Sequence, residues 1–65
     1  MRYLITVNND AGEAVDVIYT GSNWGDGRLR WDAVRESAIH RGRLLRIVRS
    51  EDDGTVFSIT ETRIY

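Results

Sequence analysis

Two short loops with a glycine at the same place constrain the fold more than any other feature of this sequence. Residues 10–12 and 52–54 both have the pattern Asp-x-Gly, and each loop is flanked by segments in which apolar and polar residues alternate. A three-residue hairpin loop needs a left-handed residue at its third position, which glycine adopts without steric cost. The chain is therefore expected to contain two β-hairpins, one near each end.

The loops also set the strand register that we expect. With Asn9 opposite Glu13, three apolar pairs of the first hairpin fall on one face of the sheet, and Glu51 opposite Thr55 sets the register of the second hairpin. In the first hairpin the expected pairs are Val7–Val15, Ile5–Val17 and Tyr3–Tyr19. In the second they are Ile47–Ile59, Arg49–Phe57 and Leu45–Glu61.

A helix is predicted between the hairpins, over residues 28–41. Trp31, Val34 and Ala38 recur at spacings of three and four, and Gly42 supplies a C-terminal stop.

The start of this helix has two candidate caps, Asp26 and Asp32. We expect residues 21–27 to form a loop, with Trp24 at the edge of the core or exposed as an interface anchor. Gly25 and Gly27 match the first two glycines of a dinucleotide-binding pattern, but Arg30 stands where the third is needed, so flexible loop glycines are expected.

These elements predict a single α+β domain spanning residues 1–65, of order ββαββ. The expected architecture is a four-stranded, mainly antiparallel sheet with one helix on one face and with the two chain ends as neighbouring central strands. This order resembles the β-grasp arrangement of ubiquitin-like and immunoglobulin-binding bacterial domains. The resemblance rests on element order and length, so it implies a fold and no function. An antiparallel sheet with another strand order is the alternative.

Composition narrows the function classes. The chain has no cysteine, which excludes disulfides and thiolate metal sites and leads us to expect a cytoplasmic protein. No apolar run is long enough to span a membrane, and the first residues are strand-like where a signal peptide would be charged and then apolar. Small proteins of this kind are typical of accessory, regulatory or inhibitor functions, including those of phages and mobile elements.

Groups for catalysis are scarce. The single histidine, His40, follows Asp32 and Glu36 at helical spacing, a pattern that is typical of a solvated helix face. No serine lies in a nucleophile motif, and no sequence pattern indicates a cofactor or a metal site. We therefore expect a protein that is not an enzyme.

The central segment, residues 28–49, is strongly basic. It contains seven arginines and two carboxylates, while the flanking segments 1–27 and 50–65 each carry a net charge of −3. Trp24 or Trp31 is the expected stacking platform for a nucleic acid bound to this segment, although the arginines of the third strand should alternate between faces. The nucleic-acid-binding alternative uses Arg28, Arg30, Arg35, Arg41, Arg43 and Arg46.

The leading functional prediction concerns the sheet face that the helix leaves bare. Because only one helix is predicted, apolar residues on that face have nothing to cover them, and such a patch marks an interface. The face is expected to carry Leu4 directly opposite Ile18. We predict a non-enzymatic interaction module, either a homodimer or a modulator of a larger protein partner. Its partner-binding residues are predicted to be Leu4, Ile18, Trp24, Leu44, Arg46, Val48 and Ile64.

Overall fold

The structure, a computed structural model of residues 1–65, contains four strands and one α-helix in the predicted order. The α+β fold class and the ββαββ order are confirmed. The elements are β1 (Arg2–Asn8), β2 (Ala14–Gly21), α1 (Trp24–Glu36), a short 3-10 turn (Ala38–His40), β3 (Leu44–Ser50) and β4 (Val56–Arg63). Neither helical segment has the length and the hydropathy that crossing a bilayer requires.

Both hairpin loops have the predicted geometry. Gly12 and Gly54 adopt φ angles of 85° and 92°, in the left-handed region that the third loop position requires. The loops are closed by hydrogen bonds from the Asn9 N–H to the Glu13 carbonyl (2.9 Å) and from the Glu51 N–H to the Thr55 carbonyl (2.8 Å).

The register between β1 and β2 differs from the prediction because β2 contains two bulges. Ile5 pairs with Tyr19, whereas the adjacent Thr6 pairs with Val17, so Ile18 is an extra residue on β2. A second extra residue, Val15, lies closer to the loop. All three predicted pairs of this hairpin are therefore wrong, although the loop that starts it is correct.

One bulge also moves most β4 side chains to the face opposite to the predicted one. Arg49 pairs with Ser58 and Ser50 with Val56, which leaves Phe57 as the extra residue. From this bulge onwards each β4 residue lies on the face opposite to the predicted one, because side chains alternate along a strand. Ile47 accordingly pairs with Thr60, not with the predicted Ile59.

The strand order is β2-β1-β3-β4, and every neighbouring pair is antiparallel. The central strands are β1 and β3, so the expected placement of the two chain ends as central neighbours is wrong and the alternative strand order is correct. Composition explains the difference. Residues 44–48 of β3 are mostly aliphatic, whereas residues 60–63 of β4 are Thr, Glu, Thr and Arg, polar side chains that an edge strand tolerates.

The helix begins and ends earlier than predicted. Its N-cap is Asn23, whose side-chain oxygen accepts a hydrogen bond from the Asp26 N–H (3.1 Å). It ends at Glu36 because Ser37 adopts an extended conformation and caps the following 3-10 turn. The predicted helix 28–41 therefore misses the first turn and includes five residues that lie beyond the helix.

Gly27 explains why the first turn can lie on the sheet. It is buried, and a Cβ atom at this position would be 3.3 Å from the Tyr19 ring and 3.6 Å from the Ile5 side chain. The helix backbone therefore contacts the sheet directly at this point, mainly over β2 and β1. The glycines expected in a flexible loop, Gly25 and Gly27, belong instead to the first two turns of α1.

The core lies between α1 and the centre of the sheet. Its fully buried apolar residues are Ile5, Val7, Leu45, Ile47 and Ile64. The first four were predicted to face the helix, whereas Ile64 was predicted on the opposite face. The prediction is also wrong for four residues that are 43–61% exposed, namely Val15, Val17, Phe57 and Ile59.

Candidate functional site

The sheet face turned away from α1, here called the outer face, carries a row of apolar side chains across three strands. Leu4 of β1 pairs with Val48 of β3, and Val48 pairs with Ile59 of β4. Paired residues share a face of the sheet, so the three side chains lie side by side. Leu4 is 40% exposed and Ile59 is 61% exposed, so the row is open to solvent.

The fourth strand adds one more exposed apolar residue to this face. Val17 of β2 pairs with Thr6 and is 58% exposed. We call Leu4, Val17, Val48 and Ile59 the apolar patch.

The row next to Leu4, Val48 and Ile59 contains Val17 at one end and is otherwise polar, with Arg46 beside Thr6. The Arg46 guanidinium is 2.8 Å from a carboxylate oxygen of Glu61 on the neighbouring strand. This edge of the patch is therefore electrically neutral.

The predicted partner-binding residues are divided between this face and the core. Leu4, Leu44, Arg46 and Val48 lie in the rows of the outer face as predicted. Ile64 is 1% exposed in the core. Ile18 is half-buried and packs against the core. The position opposite Leu4, which was predicted for Ile18, is occupied by Thr20.

Val17 and Ile59 are the residues of the patch that the sequence did not indicate. Both were predicted to face the helix, and each lies just beyond a bulge that moves it to the other face. No turn residue marks these bulges, because the extra residues Val15 and Phe57 are good strand formers.

A second surface feature lies on the helix side of the sheet. The helix packs mainly on β2 and β1, and a cavity of about 250 Å³ opens between it and the uncovered part of β3 and β4. We call this cavity the tryptophan groove, because both tryptophans of the chain line it. The lining residues are Trp24, Arg28, Trp31, Asp32, Arg35, Ile47, Arg49 and Thr60.

Trp24 is held in place from two sides. Its ring centroid is 5.2 Å from that of Tyr3, with the ring planes tilted by 38°. The guanidinium carbon of Arg49 lies 5.1 Å from the Trp24 ring, a cation–π geometry. Trp24 is thus the half-buried first residue of α1, in contrast to the predicted loop residue.

The arginines of the nucleic-acid prediction do not form one surface. Arg28 and Arg35 line the groove, but Arg46 lies on the outer face and is paired with Glu61. Arg30, Arg41 and Arg43 are exposed and do not line the groove. The groove instead includes Arg49, whose inward direction follows from its position on β3 but which the predicted set left out.

His40 has a structural partner. Its Nε2 atom is 3.0 Å from a carboxylate oxygen of Asp16, which joins the 3-10 turn to β2. His40, Glu36 and Asp32 do not form a cluster that could hold a metal ion, and neither does any other group of carboxylate and histidine side chains.

The comparisons with known proteins add no relative. No protein-family model, curated protein or solved structure matches this chain. The apolar patch and the tryptophan groove are therefore the features from which function is inferred.

Proposed function

We propose that this chain is a non-enzymatic protein-interaction module that pairs with a second copy of itself through the apolar patch. The observation that supports the proposal is the row Leu4–Val48–Ile59, in which the exposed Leu4 and Ile59 flank the half-buried Val48 across three hydrogen-bonded strands. Aliphatic side chains clustered on one face are typical of an interface, whereas single exposed ones are normal.

The dimensions of the molecule suit a face-to-face pair. Its principal extents are 33 × 25 × 15 Å, so a broad face has an area of roughly 800 Å², which is what each partner of a standard interface buries. The molecule consists of two layers, one sheet and one helix. A second sheet packed about 10 Å from the outer face would turn this arrangement into a sandwich.

A second copy is compatible with the charges at one edge of the patch and is favoured by the small core. Because Glu61 already neutralises Arg46 beside the patch, two identical patches would meet without unpaired like charges at that edge. The internal core is also small, since only five apolar side chains are fully buried. Pairing would bury further aliphatic surface in a chain close to the lower size limit for independent stability.

The experiment measures the oligomeric state by sedimentation equilibrium over a wide range of protein concentrations. Wild-type protein is expected to be a dimer at high concentration. Ile59→Glu would place a carboxylate in the apolar interface, and its dimer dissociation constant is expected to rise by at least about 100-fold.

Ile39→Glu is the matched control, because it makes the same substitution at a site in the 3-10 turn that is 84% exposed. This variant should dimerise like wild type. Wild-type protein that stays monomeric at every concentration would rule out the homodimer, and so would equal effects of the two substitutions.

A further inference from the structure

The residues that line the tryptophan groove carry a net positive charge. Arg28, Arg35 and Arg49 line it with a single carboxylate, Asp32, which gives the groove a net charge of +2 in a chain of net charge −1. Arg28 is 3.7 Å from Asp32, a long contact, and Arg35 and Arg49 form no ion pair at all. Guanidinium groups of this kind have N–H donors available for an anion, and phosphate fits their geometry.

The same groove provides an aromatic surface. Trp24 is fixed between Tyr3 and Arg49, and Trp31 is half-buried on the same side of α1. Because Tyr3 and Arg49 occupy the two sides of Trp24, a planar ring bound here would stack on Trp31, whose half-buried side chain loses little entropy on binding. Stacking of this type is tolerant of the identity of the ring.

Size limits the ligand. The groove has a volume of about 250 Å³, slightly below the usual range of roughly 300–1,000 Å³ for sites of drug-sized ligands. It is therefore suited to one planar ring joined to one anionic group. The carboxylate of Asp32 and the hydroxyl of Thr60 stand beside the aromatic surface and can accept hydrogen bonds from ring amino groups.

We infer that the tryptophan groove binds one nucleoside phosphate unit, either as a free nucleotide or as part of a single-stranded nucleic acid. A nucleobase supplies the planar ring and its amino groups, and the phosphate supplies the anion. An acidic peptide offers carboxylates to the arginines but lacks the amino-bearing ring that would use Asp32. The groove is on the helix side of the sheet, so this binding does not depend on the proposed dimer.

Intrinsic tryptophan fluorescence reports on this groove directly, because Trp24 and Trp31 are the only tryptophans of the chain. The full-length protein is titrated at low salt with adenosine monophosphate, adenosine, inorganic phosphate, a short single-stranded oligoadenylate and a peptide of alternating Glu and Phe. Adenosine monophosphate is expected to change the emission. Adenosine and phosphate alone should each bind at least about tenfold more weakly, because each makes only part of the contacts.

Arg35→Gln tests the role of the charges. It removes a groove guanidinium at an exposed position, where folding should be unaffected, and is expected to weaken nucleotide binding about tenfold. Arg30→Gln is the matched control, because Arg30 lies on the same helix outside the groove. Leu4→Glu, on the outer face, should also leave nucleotide binding unchanged.

The outcomes separate the ligand classes. Tighter binding of the oligoadenylate than of adenosine monophosphate would support a single-stranded nucleic acid as the source, and equal binding would support a free nucleotide. The inference is overturned if no nucleotide changes the emission at low salt, if the acidic peptide binds more tightly than the nucleotides, or if Arg35→Gln binds like wild type. Loss of nucleotide binding leaves the dimer intact, and loss of the dimer leaves nucleotide binding intact, so the two proposals fail separately.

Discussion

The two isoleucines of the C-terminal segment, Ile59 and Ile64, provide a quantitative test of the fold. Ile64 is 1% exposed and belongs to the core, whereas Ile59 is 61% exposed on the outer face. A strand without the bulge at Phe57 would place them the other way round. Substituting each by alanine therefore measures which face each side chain occupies.

The expected magnitudes follow from burial. Ile→Ala removes three carbon atoms, worth roughly 2.4 kcal/mol of transfer free energy when fully buried, and the cavity left behind raises the loss to about 3 kcal/mol. We expect this loss in the free energy of unfolding for Ile64→Ala. For Ile59→Ala, where less than half of the side chain is buried, we expect about 1 kcal/mol or less.

The assay is urea unfolding followed by far-ultraviolet circular dichroism. Both substitutions are made in a Leu4→Glu background, so that pairing through the apolar patch does not contribute to the stability of either variant. A domain of this size has a total stability of roughly 3–10 kcal/mol, so Ile64→Ala risks unfolding the chain. Ile64→Val and Ile59→Val then give the same comparison with smaller losses in the free energy of unfolding. We expect about 1 kcal/mol for Ile64→Val and about 0.3 kcal/mol for Ile59→Val. A larger loss at Ile59 than at Ile64 would refute the assigned register of β4.

Two further predictions concern local hydrogen bonds. Asn23→Ala removes the acceptor of the Asp26 N–H at the start of α1 and should lower the free energy of unfolding by about 1 kcal/mol in urea titrations. Asn23→Asp keeps an acceptor and should preserve the stability. Equal losses in both variants would argue against capping. The pKa of Asp53 is lowered mainly because the backbone N–H and the hydroxyl of Thr55 donate hydrogen bonds to its carboxylate. The charged carboxylate therefore stabilises the folded state at pH values above the ordinary pKa of 3.8, and this stabilisation is lost as the pH falls through the lowered pKa. Asp53→Asn should therefore lower the urea midpoint at neutral pH, with the difference from wild type disappearing on acidification; a difference that grows in acid would contradict the assigned sign.

Features encoded by neighbouring residues could be predicted from the sequence, and features that depend on distant contacts could not. The loops ending at Gly12 and Gly54 were predicted because a left-handed glycine specifies the turn within a few residues. The bulges at Ile18 and Phe57 have no such local marker. Strand alternation alone therefore predicted the wrong register.

The start of α1 shows the same limit. Gly25 and Gly27 disfavour a helix, and on propensity alone the segment is a loop. The helix nevertheless begins at Trp24, because Gly27 allows its backbone to approach Tyr19 and Ile5. A long-range contact thus stabilises a helical turn that local propensity disfavours.

The candidate surfaces were predicted to different degrees. Leu4, Arg46 and Val48 lie on the outer face because β1 and β3 alternate without interruption. The tryptophan groove was not predicted as a unit, because it depends on how far across the sheet α1 extends. Only a helix placed over β2 and β1 leaves Arg49 open beside Trp24.

The off-centre position of α1 gives the edge strand β4 a particular thermodynamic role. Since β4 pairs only with β3 and packs little against the helix, it is expected to be among the first elements to detach in local unfolding. Detachment would remove Ile59 from one side of the sheet and Thr60 from the other. A molecule bound on either side would therefore lower the population of the detached strand.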